Sequence, residues 1–89
     1  MAPYAVSFRR SAEKDLRRLD DALQSRILDA VEGLGSNPRP FGFRKLQGRR
    51  REDVFRIRVG DYRVVYSVDD EAKVVTVERV RHRREVYRG

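Results

Sequence analysis

The stretch VFRIRVGDYRVVY, from Val54 to Tyr66, alternates apolar and polar residues on both sides of Gly60-Asp61. This alternation predicts a strand, a tight turn and a second strand. A two-residue loop with glycine first is typical of a type II′ turn, because glycine adopts positive φ without a steric penalty. The turn predicts these register pairs: Val59–Tyr62, Arg58–Arg63, Ile57–Val64, Arg56–Val65 and Phe55–Tyr66.

The predicted register gives the hairpin one apolar face and one basic face. The apolar face carries Phe55, Ile57, Val59, Tyr62, Val64 and Tyr66. Arg56, Arg58 and Arg63 share the other face, where Arg58 is directly opposite Arg63. Like charges that oppose each other across a ladder are destabilising, so three guanidinium groups on one patch favour a bound polyanion. The solvated outer face of a basic protein would give the same pattern, and the hairpin alone leaves both interpretations open.

Length and composition restrict the kind of protein. The chain of 89 residues forms one small domain with a single modest core. A net charge of +7 with 39% charged residues indicates an acidic partner such as nucleic acid, an anionic membrane surface or an acidic protein. The chain has no cysteine, which excludes disulfides and cysteine-based zinc sites. No apolar run reaches membrane-spanning length and no signal peptide is visible, so we expect a soluble cytoplasmic protein without a membrane partner.

The remaining segments predict an α+β domain spanning residues 1–89. Alternation over residues 4–8 predicts a first strand. Two helices follow, the first capped by Ser11 and the second by Asp20 or Asp21. Residues 73–80 form the last strand, which gives the order β–α–α–β–β–β. We expect a small antiparallel β-sheet packed on an N-terminal helical hairpin, with the face that carries the arginines open.

Two further stretches are strongly basic. The proline- and glycine-rich residues 36–43 predict a loop. The approach to the hairpin then carries four candidate RNA-binding residues: Lys45, Arg49, Arg50 and Arg51. A solvated charge run explains these residues equally well. The tail from Arg81 to Gly89 is basic and contains one histidine, His82, and one aromatic residue, Tyr87.

The side chains that remain for chemistry are arginine, tyrosine and one histidine. The sequence shows no paired carboxylates, no glycine-rich phosphate loop and no nucleophile with an adjacent base, and one histidine cannot build a His-rich metal site. Arginine binds phosphate bidentately and stays charged, so a cluster of it can neutralise a pentavalent phosphate transition state. Tyr87 is a candidate for stacking on an unpaired base. Histidine titrates near neutral pH, which makes His82 a candidate for proton transfer, although a lone histidine near a terminus is often structural or solvated.

The whole chain resembles the RelE–ParE superfamily of bacterial toxins from type II toxin–antitoxin pairs. The resemblance is carried by KDLRRLDDALQSRILDAVEGL, NPRPFGFRKLQG, FRIRVGDYRVVYSVDD and VRHRREVYR. The combination of RVGDYRVVY with a terminal HRREVY is specific. Members of this superfamily fold as a small sheet on a helical hairpin, the RelE-like microbial ribonuclease fold, in agreement with the predicted order.

The resemblance to RelE-like members implies an endoribonuclease that cleaves mRNA in the ribosomal A site without a metal or other cofactor. In such members the 2′-hydroxyl attacks the adjacent phosphate. By motif, Arg56 and Arg58 occupy positions that are lysines in the best-described member, and Arg63 matches the arginine that stabilises the transition state. Arg83 matches a second catalytic arginine, and Tyr87 matches the tyrosine that orients or stacks on the base. The tail between Arg83 and Tyr87 is shorter here.

The exchange of lysine for arginine affects the expected mechanism. Clustered positive charge can bring a lysine toward neutrality so that it acts as a base, whereas arginine stays protonated. Arg56 and Arg58 are therefore expected to hold phosphate and not to accept a proton. Either His82 takes part, or the enzyme relies on electrostatics and on the ribosome to orient the substrate.

Two other functions fit the same sequence. ParE-like members share the fold, lack the nuclease residues and inhibit DNA gyrase, and the string from His82 to Glu85 occurs in both classes. The third function is that of a basic RNA-binding module outside toxin–antitoxin systems. For a toxin, the resemblance implies a cognate antitoxin, the ribosome and mRNA as partners, and binding of operator DNA through the antitoxin.

Overall fold

The computed structural model describes residues 3–40, 44–46 and 53–86. Its elements in chain order are β1 (Ala5–Phe8), α1 (Arg10–Arg17), α2 (Asp21–Ser36), β2 (Arg44–Leu46), β3 (Asp53–Val59), β4 (Tyr62–Asp69), β5 (Val74–His82) and α3 (Arg83–Val86). None of the helices in these ranges is long and apolar enough to cross a membrane.

The central hairpin has the predicted register. Arg58 lies opposite Arg63, and the pairing continues without a shift from Val59–Tyr62 to Asp53–Val68. Gly60 has a φ of 60° at the first turn position, as the type II′ prediction requires. The six residues predicted for the apolar face are buried or half-buried in the core. The prediction of the hairpin is confirmed because the turn and the period-two pattern specify the same register.

The five strands form one sheet in the order β1-β5-β4-β3-β2. The predicted α+β class, with a sheet packed on a helical hairpin, is confirmed. The sheet is mixed, however, since β1 runs parallel to β5 while the other neighbours are antiparallel. A parallel pair needs a long connection, which the helical hairpin and the intervening strands supply. Strand β2 was not predicted, because three residues next to a proline- and glycine-rich loop show too little alternation.

The helices cover the apolar face of the sheet. Ile27, Val31 and Leu34 from α2 are almost completely buried against sheet residues such as Phe55 and Tyr66. Burial of an apolar side chain of this size contributes about 1.5–3 kcal/mol, so this layer supplies most of the stability of the fold. The opposite face of the sheet is left for the candidate site.

One helix cap was predicted correctly and one was not. Asp20 caps α2, where its Oδ1 accepts a hydrogen bond of 2.8 Å from the Leu23 amide. Ser11 does not cap α1: the N-cap is Arg9, and the Ser11 hydroxyl donates to the Glu78 carbonyl at 2.9 Å. The prediction was wrong because the helix begins at Arg10, which places Ser11 inside its first turn, where the hydroxyl donates to a carbonyl of a distant strand and accepts nothing from the helix amides.

Helix α1 covers an edge that β1 leaves free. Strand β1 ends opposite Val77, and beyond this point the outer edge of β5 has no strand partner among the residues that the structure describes. Ser11 and Asp15, one helical turn apart, satisfy this edge: Ser11 donates to the Glu78 carbonyl, and Asp15 accepts from the Val80 amide at 2.9 Å. An uncovered edge invites pairing with another chain. The helix therefore replaces a neighbouring strand at the second half of β5.

Side chains also hold the segment that leaves α2. Arg39 makes a two-pronged ion pair with Asp70, whose Oδ1 accepts a further hydrogen bond of 2.6 Å from the Tyr4 hydroxyl. The Tyr66 hydroxyl donates to the Pro38 carbonyl at 2.7 Å. Burial raises the pKa of Tyr66 to about 12. These contacts fasten the start of the loop before β2 to the end of the sheet remote from the hairpin turn.

Candidate active site

A row of three arginines crosses the sheet near the hairpin turn. Arg58 of β3 lies opposite Arg63 of β4, and Arg63 lies opposite Arg81 of β5. Residues that pair directly in an antiparallel ladder project from the same face. In the next row on this face, Arg56 lies opposite Val65, which lies opposite Arg79. We call the side of the sheet that carries Arg56, Arg58, Arg63, Arg79 and Arg81 the arginine face.

The structure places the predicted trio of Arg56, Arg58 and Arg63 on one face but at different depths. Arg58 is exposed and Arg56 is half-buried. Arg63, which was expected on an open surface, is only 3% exposed. The prediction of an open position was wrong for Arg63 because its place in the middle strand puts neighbours on both sides, which a strand pattern alone does not show.

The Arg63 guanidinium has no acidic partner among the residues that the structure describes. Its Nη1 donates to the Tyr62 carbonyl at 3.1 Å and, at the long distance of 3.4 Å, to the Gly60 carbonyl. Its Nε is buried and has no hydrogen-bond partner among the described residues. A buried charge without a counter-charge is unfavourable, and Arg63 also has a like charge on each side in the row. An anion at this position would meet a donor that is already held in place.

A β-bulge brings β5 into the arginine face. The register changes from Val65–Arg79 to Tyr66–Val77, so that Glu78 is an extra residue on β5. One extra residue reverses which side chains point to which face. Val77 lies in the core before the bulge and Val80 lies in the core after it. Arg79 and Arg81 are therefore turned to the side opposite the helices.

Arg81 is a residue of the arginine face that the sequence pattern did not place there. Strict alternation along VVTVERVRH puts Arg81 on the same face as Val75 and Val77, under the helices. The available signal was the polar pair Glu78-Arg79, which interrupts an otherwise regular pattern. A bulge at that pair is the arrangement that keeps both the valines inside and the arginines outside.

A buried carboxylate, Asp15, binds Arg79 of β5. Asp15 of α1 is 9% exposed and accepts two hydrogen bonds from the Arg79 guanidinium, from Nε at 2.9 Å and from Nη2 at 3.2 Å. A third bond comes from the Val80 amide. Burial by itself raises the pKa of Asp15, but the hydrogen bonds and the charges of Arg79 and Arg81 outweigh burial and leave this pKa below its ordinary value.

His82 and Arg83, the candidates at the end of β5, have different surroundings. The His82 ring packs edge-to-face on the Tyr62 ring, with centroids 5.4 Å apart, and its Nδ1 accepts from the Arg84 amide at 3.3 Å. His82 pairs with Tyr62 on the side of the sheet that faces the helices, so the structure does not bring it together with Arg63. Arg83 is exposed at the start of α3, where its amide donates to the Asp61 carbonyl at 2.8 Å. The hairpin turn thus anchors Arg83 next to the arginine row.

The other predicted site residues divide as follows. Lys45 lies in β2 and pairs with Phe55. Arg49, Arg50, Arg51 and Tyr87 lie outside the described residues, and they remain predictions.

Comparison with known families agrees with this architecture. The sequence family described as the ParE toxin of type II toxin–antitoxin systems matches residues 6–87. The chain belongs to the RelE–ParE superfamily of toxins. The toxin RelG of Mycobacterium tuberculosis is 34% identical over 87 residues, which cover 97% of this chain and 98% of RelG. Toxin RelE of the same organism is also 34% identical, over 97% of this chain and 88% of its own length.

Solved structures of superfamily members share the fold. The crystal structure of the archaeal RelE–RelB complex from Pyrococcus horikoshii matches with a TM-score of 0.82 and 33% identity, covering 98% of this chain and 99% of that one. The toxin–antitoxin complex RelBE2 from Mycobacterium tuberculosis matches with a TM-score of 0.76 and 31% identity, covering 92% and 93%. Recognition of the superfamily from the sequence is thus confirmed.

Proposed function

We propose that this toxin is a ribosome-dependent endoribonuclease that cleaves mRNA in the A site and so inhibits translation. The observation that supports the proposal best is Arg63, a buried guanidinium with an unused donor and no acidic partner among the described residues. A buried charge without a partner destabilises the fold, so its presence favours a functional role. A phosphoryl group whose charge increases in the transition state supplies the missing partner.

The proposed reaction is attack of the 2′-oxygen on the adjacent phosphorus. The bond to the 5′-oxygen of the next nucleotide breaks, which leaves a 2′,3′-cyclic phosphate and a free 5′-hydroxyl. Arg63 stabilises the charge on the phosphoryl oxygens, Arg56 and Arg58 hold the backbone, and Arg83 adds a second catalytic guanidinium. Tyr87 stacks on the exposed base.

Proton transfer is the step that the arginines of this face cannot carry out as a base. Arginine stays protonated, and His82 lies on the other side of the sheet beside Tyr62. We therefore assign the rate enhancement to charge stabilisation and to orientation of the 2′-hydroxyl by the ribosome, with no metal or cofactor. His82 is a structural residue in this mechanism.

An antitoxin would control the activity by covering the site. Similar toxins have been crystallised with RelB antitoxins, and we infer that this chain also binds a cognate antitoxin. An acidic segment that folds on binding would neutralise the arginine face and block the approach of RNA to it. Operator DNA would be bound through the antitoxin, and a toxin that acts on ribosomes would be located in the cytoplasm.

A second candidate function is inhibition of DNA gyrase. It is favoured by the matching ParE family model and by the arginines at positions 56 and 58, where a RelE-like nuclease has lysines. Two assays on the same purified toxin separate the functions: cleavage of mRNA on programmed ribosomes, and supercoiling by gyrase. We expect cleavage by the wild type, with a large loss in Arg63→Ala. Intact mRNA together with inhibited gyrase would refute the ribonuclease proposal.

A further inference from the structure

The arginine face continues, away from the hairpin turn, into a patch of hydroxyl side chains. Ser67 of β4 pairs with Thr76 of β5, which pairs with Ser7 of β1, and we call these three residues the hydroxyl patch. Ser67 lies about 13 Å from Arg63 along β4, because a strand rises about 3.3 Å per residue. Ser67 is buried, and the hydroxyl oxygens of Ser7 and Thr76 are 3.2 Å apart. This side of the sheet therefore changes along its length from arginine to hydroxyl groups.

Glu78 adds a carboxylate beside the hydroxyl patch. It is the extra residue of the bulge, and its side chain reaches the arginine face, where Oε2 accepts a hydrogen bond of 3.0 Å from the Ser67 hydroxyl. Its Oε1 forms an ion pair with the Arg9 guanidinium. These two contacts orient the carboxylate, and the Glu78 side chain is still 23% exposed. Each carboxylate oxygen has about two acceptor sites, so both oxygens keep acceptor capacity for a ligand.

A carboxylate at this place does not help a surface to bind phosphate. It lowers the positive potential that attracts a polyanion. The adjacent Arg79 does not depend on Glu78 for a counter-charge either, because its guanidinium binds Asp15. A fixed carboxylate is instead well suited to a nucleobase, since it accepts hydrogen bonds from amino groups such as N4 of cytosine. In single-stranded RNA the base edges are free to make such contacts.

We propose that Glu78 is a specificity residue. It recognises a base next to the phosphate that the arginine row holds, and it favours bases that carry an exocyclic amino group over uracil. Phosphate contacts fix the position of a nucleic acid on a protein, and contacts to base edges supply sequence specificity. The arginine row makes the first kind of contact, and Glu78 beside the hydroxyl patch makes the second. This inference rests on the proposed function, because it requires RNA on the arginine face.

Cytosine and uracil form a matched pair for the test. The two pyrimidines differ at position 4, where cytosine has an amino group and uracil has a carbonyl oxygen. We would measure the affinities of short oligocytidine and oligouridine RNAs for the wild type at neutral pH and low salt. We expect oligocytidine to bind about fivefold more tightly, which is the lower end of the discrimination that a good base contact provides. Equal affinities for the two RNAs overturn the inference.

Glu78→Gln distinguishes base recognition from a purely structural role. The substitution keeps the length of the side chain and removes a negative charge from a basic surface, so oligouridine should bind at least as tightly as before. Oligocytidine should bind about fivefold more weakly, because its amino group loses the carboxylate. If Glu78 only anchors the bulge, both RNAs lose affinity alike and the wild-type preference remains, which overturns the inference. Glu71→Gln makes the same charge change at an exposed residue between β4 and β5 and should leave the preference unchanged.

Two further variants keep the test decisive if thermal unfolding shows that Glu78→Gln is unstable. Ser67→Ala frees one oxygen of the carboxylate and retains its charge, so we expect a smaller preference for oligocytidine and an unchanged affinity for oligouridine. Arg63→Gln should weaken both RNAs alike and reduce the slope of log K against log salt concentration by about 0.7 in magnitude. A normal response to Arg63→Gln with a preference that ignores Ser67→Ala and Glu78→Gln overturns this inference alone. Wild-type affinity of Arg63→Gln for both RNAs overturns the proposed function and this inference with it.

Discussion

Replacing Arg63 with methionine should separate stability from function. Methionine has a similar length, no charge and no hydrogen-bond donor. The change removes two directly opposed like-charge pairs, with Arg58 and Arg81, which are worth roughly 0.2–1 kcal/mol each. It also removes the buried Nε that has no partner among the described residues, a group whose desolvation costs about 1–3 kcal/mol.

The hydrogen bonds that Arg63→Met removes stabilise the fold by a smaller amount. The hydrogen bonds from Nη1 to the carbonyls of Tyr62 and Gly60 are worth roughly 0.5–1.5 kcal/mol each, and the one to Gly60 is long at 3.4 Å. We therefore expect the free energy of unfolding of Arg63→Met to rise by about 1 kcal/mol, which raises the Tm of a domain of this size by about 4–8 °C.

The assay is thermal unfolding at low salt, with ribosomal mRNA cleavage measured on the same preparations. Arg58→Met is the matched control, because Arg58 is exposed and lies opposite only one arginine, Arg63. Its free energy of unfolding should differ from that of the wild type by no more than about 0.5 kcal/mol. Added salt should raise the Tm of the wild type more than that of Arg63→Met, because salt screens the repulsion. A Tm of Arg63→Met below that of the wild type at low salt would show that the guanidinium stabilises the free fold and would remove the main support for an anion site.

Three other predictions concern single residues. The pKa of Asp15 is lower in the folded state than in the unfolded chain, so its contribution to stability is present above about pH 4 and is lost as the pH falls through the folded value. The loss of unfolding free energy in acid should therefore be smaller in Asp15→Asn than in the wild type. Gly60→Ala should lower the free energy of unfolding by about 1–3 kcal/mol, because alanine is strained at a φ of 60° although space for its Cβ exists beside Arg26; denaturant titration at constant m-value checks this. In single-turnover cleavage on ribosomes, Arg63→Ala should lose about 10²–10³-fold, whereas His82→Gln should stay near the wild-type rate, and a His82→Gln loss of 10²-fold or more would restore this histidine as an acid–base group.

The sequence by itself determined the central hairpin and the superfamily. Both follow from local information. Glycine at the first turn position sets the turn type, the turn sets the register, and a period of two then assigns every side chain from Phe55 to Tyr66 to one of two faces. The same stretch and the terminal HRREVY carry the resemblance to RelE–ParE toxins. The fold class could therefore be predicted without knowing which distant segments contact each other.

The tertiary structure alone decided how the site is completed. Burial of Arg63 depends on neighbours from both adjacent strands, and the place of Arg81 depends on a bulge that is visible only when β5 is paired with β4. Ser11 and Asp15 look like ordinary residues of a helix start until the free edge of β5 lies beside them. A periodic pattern reports which residues share a face within one strand, whereas bulges and burial are properties of strands in contact. The edge contacts of Ser11 and Asp15 join residues more than sixty positions apart in the chain.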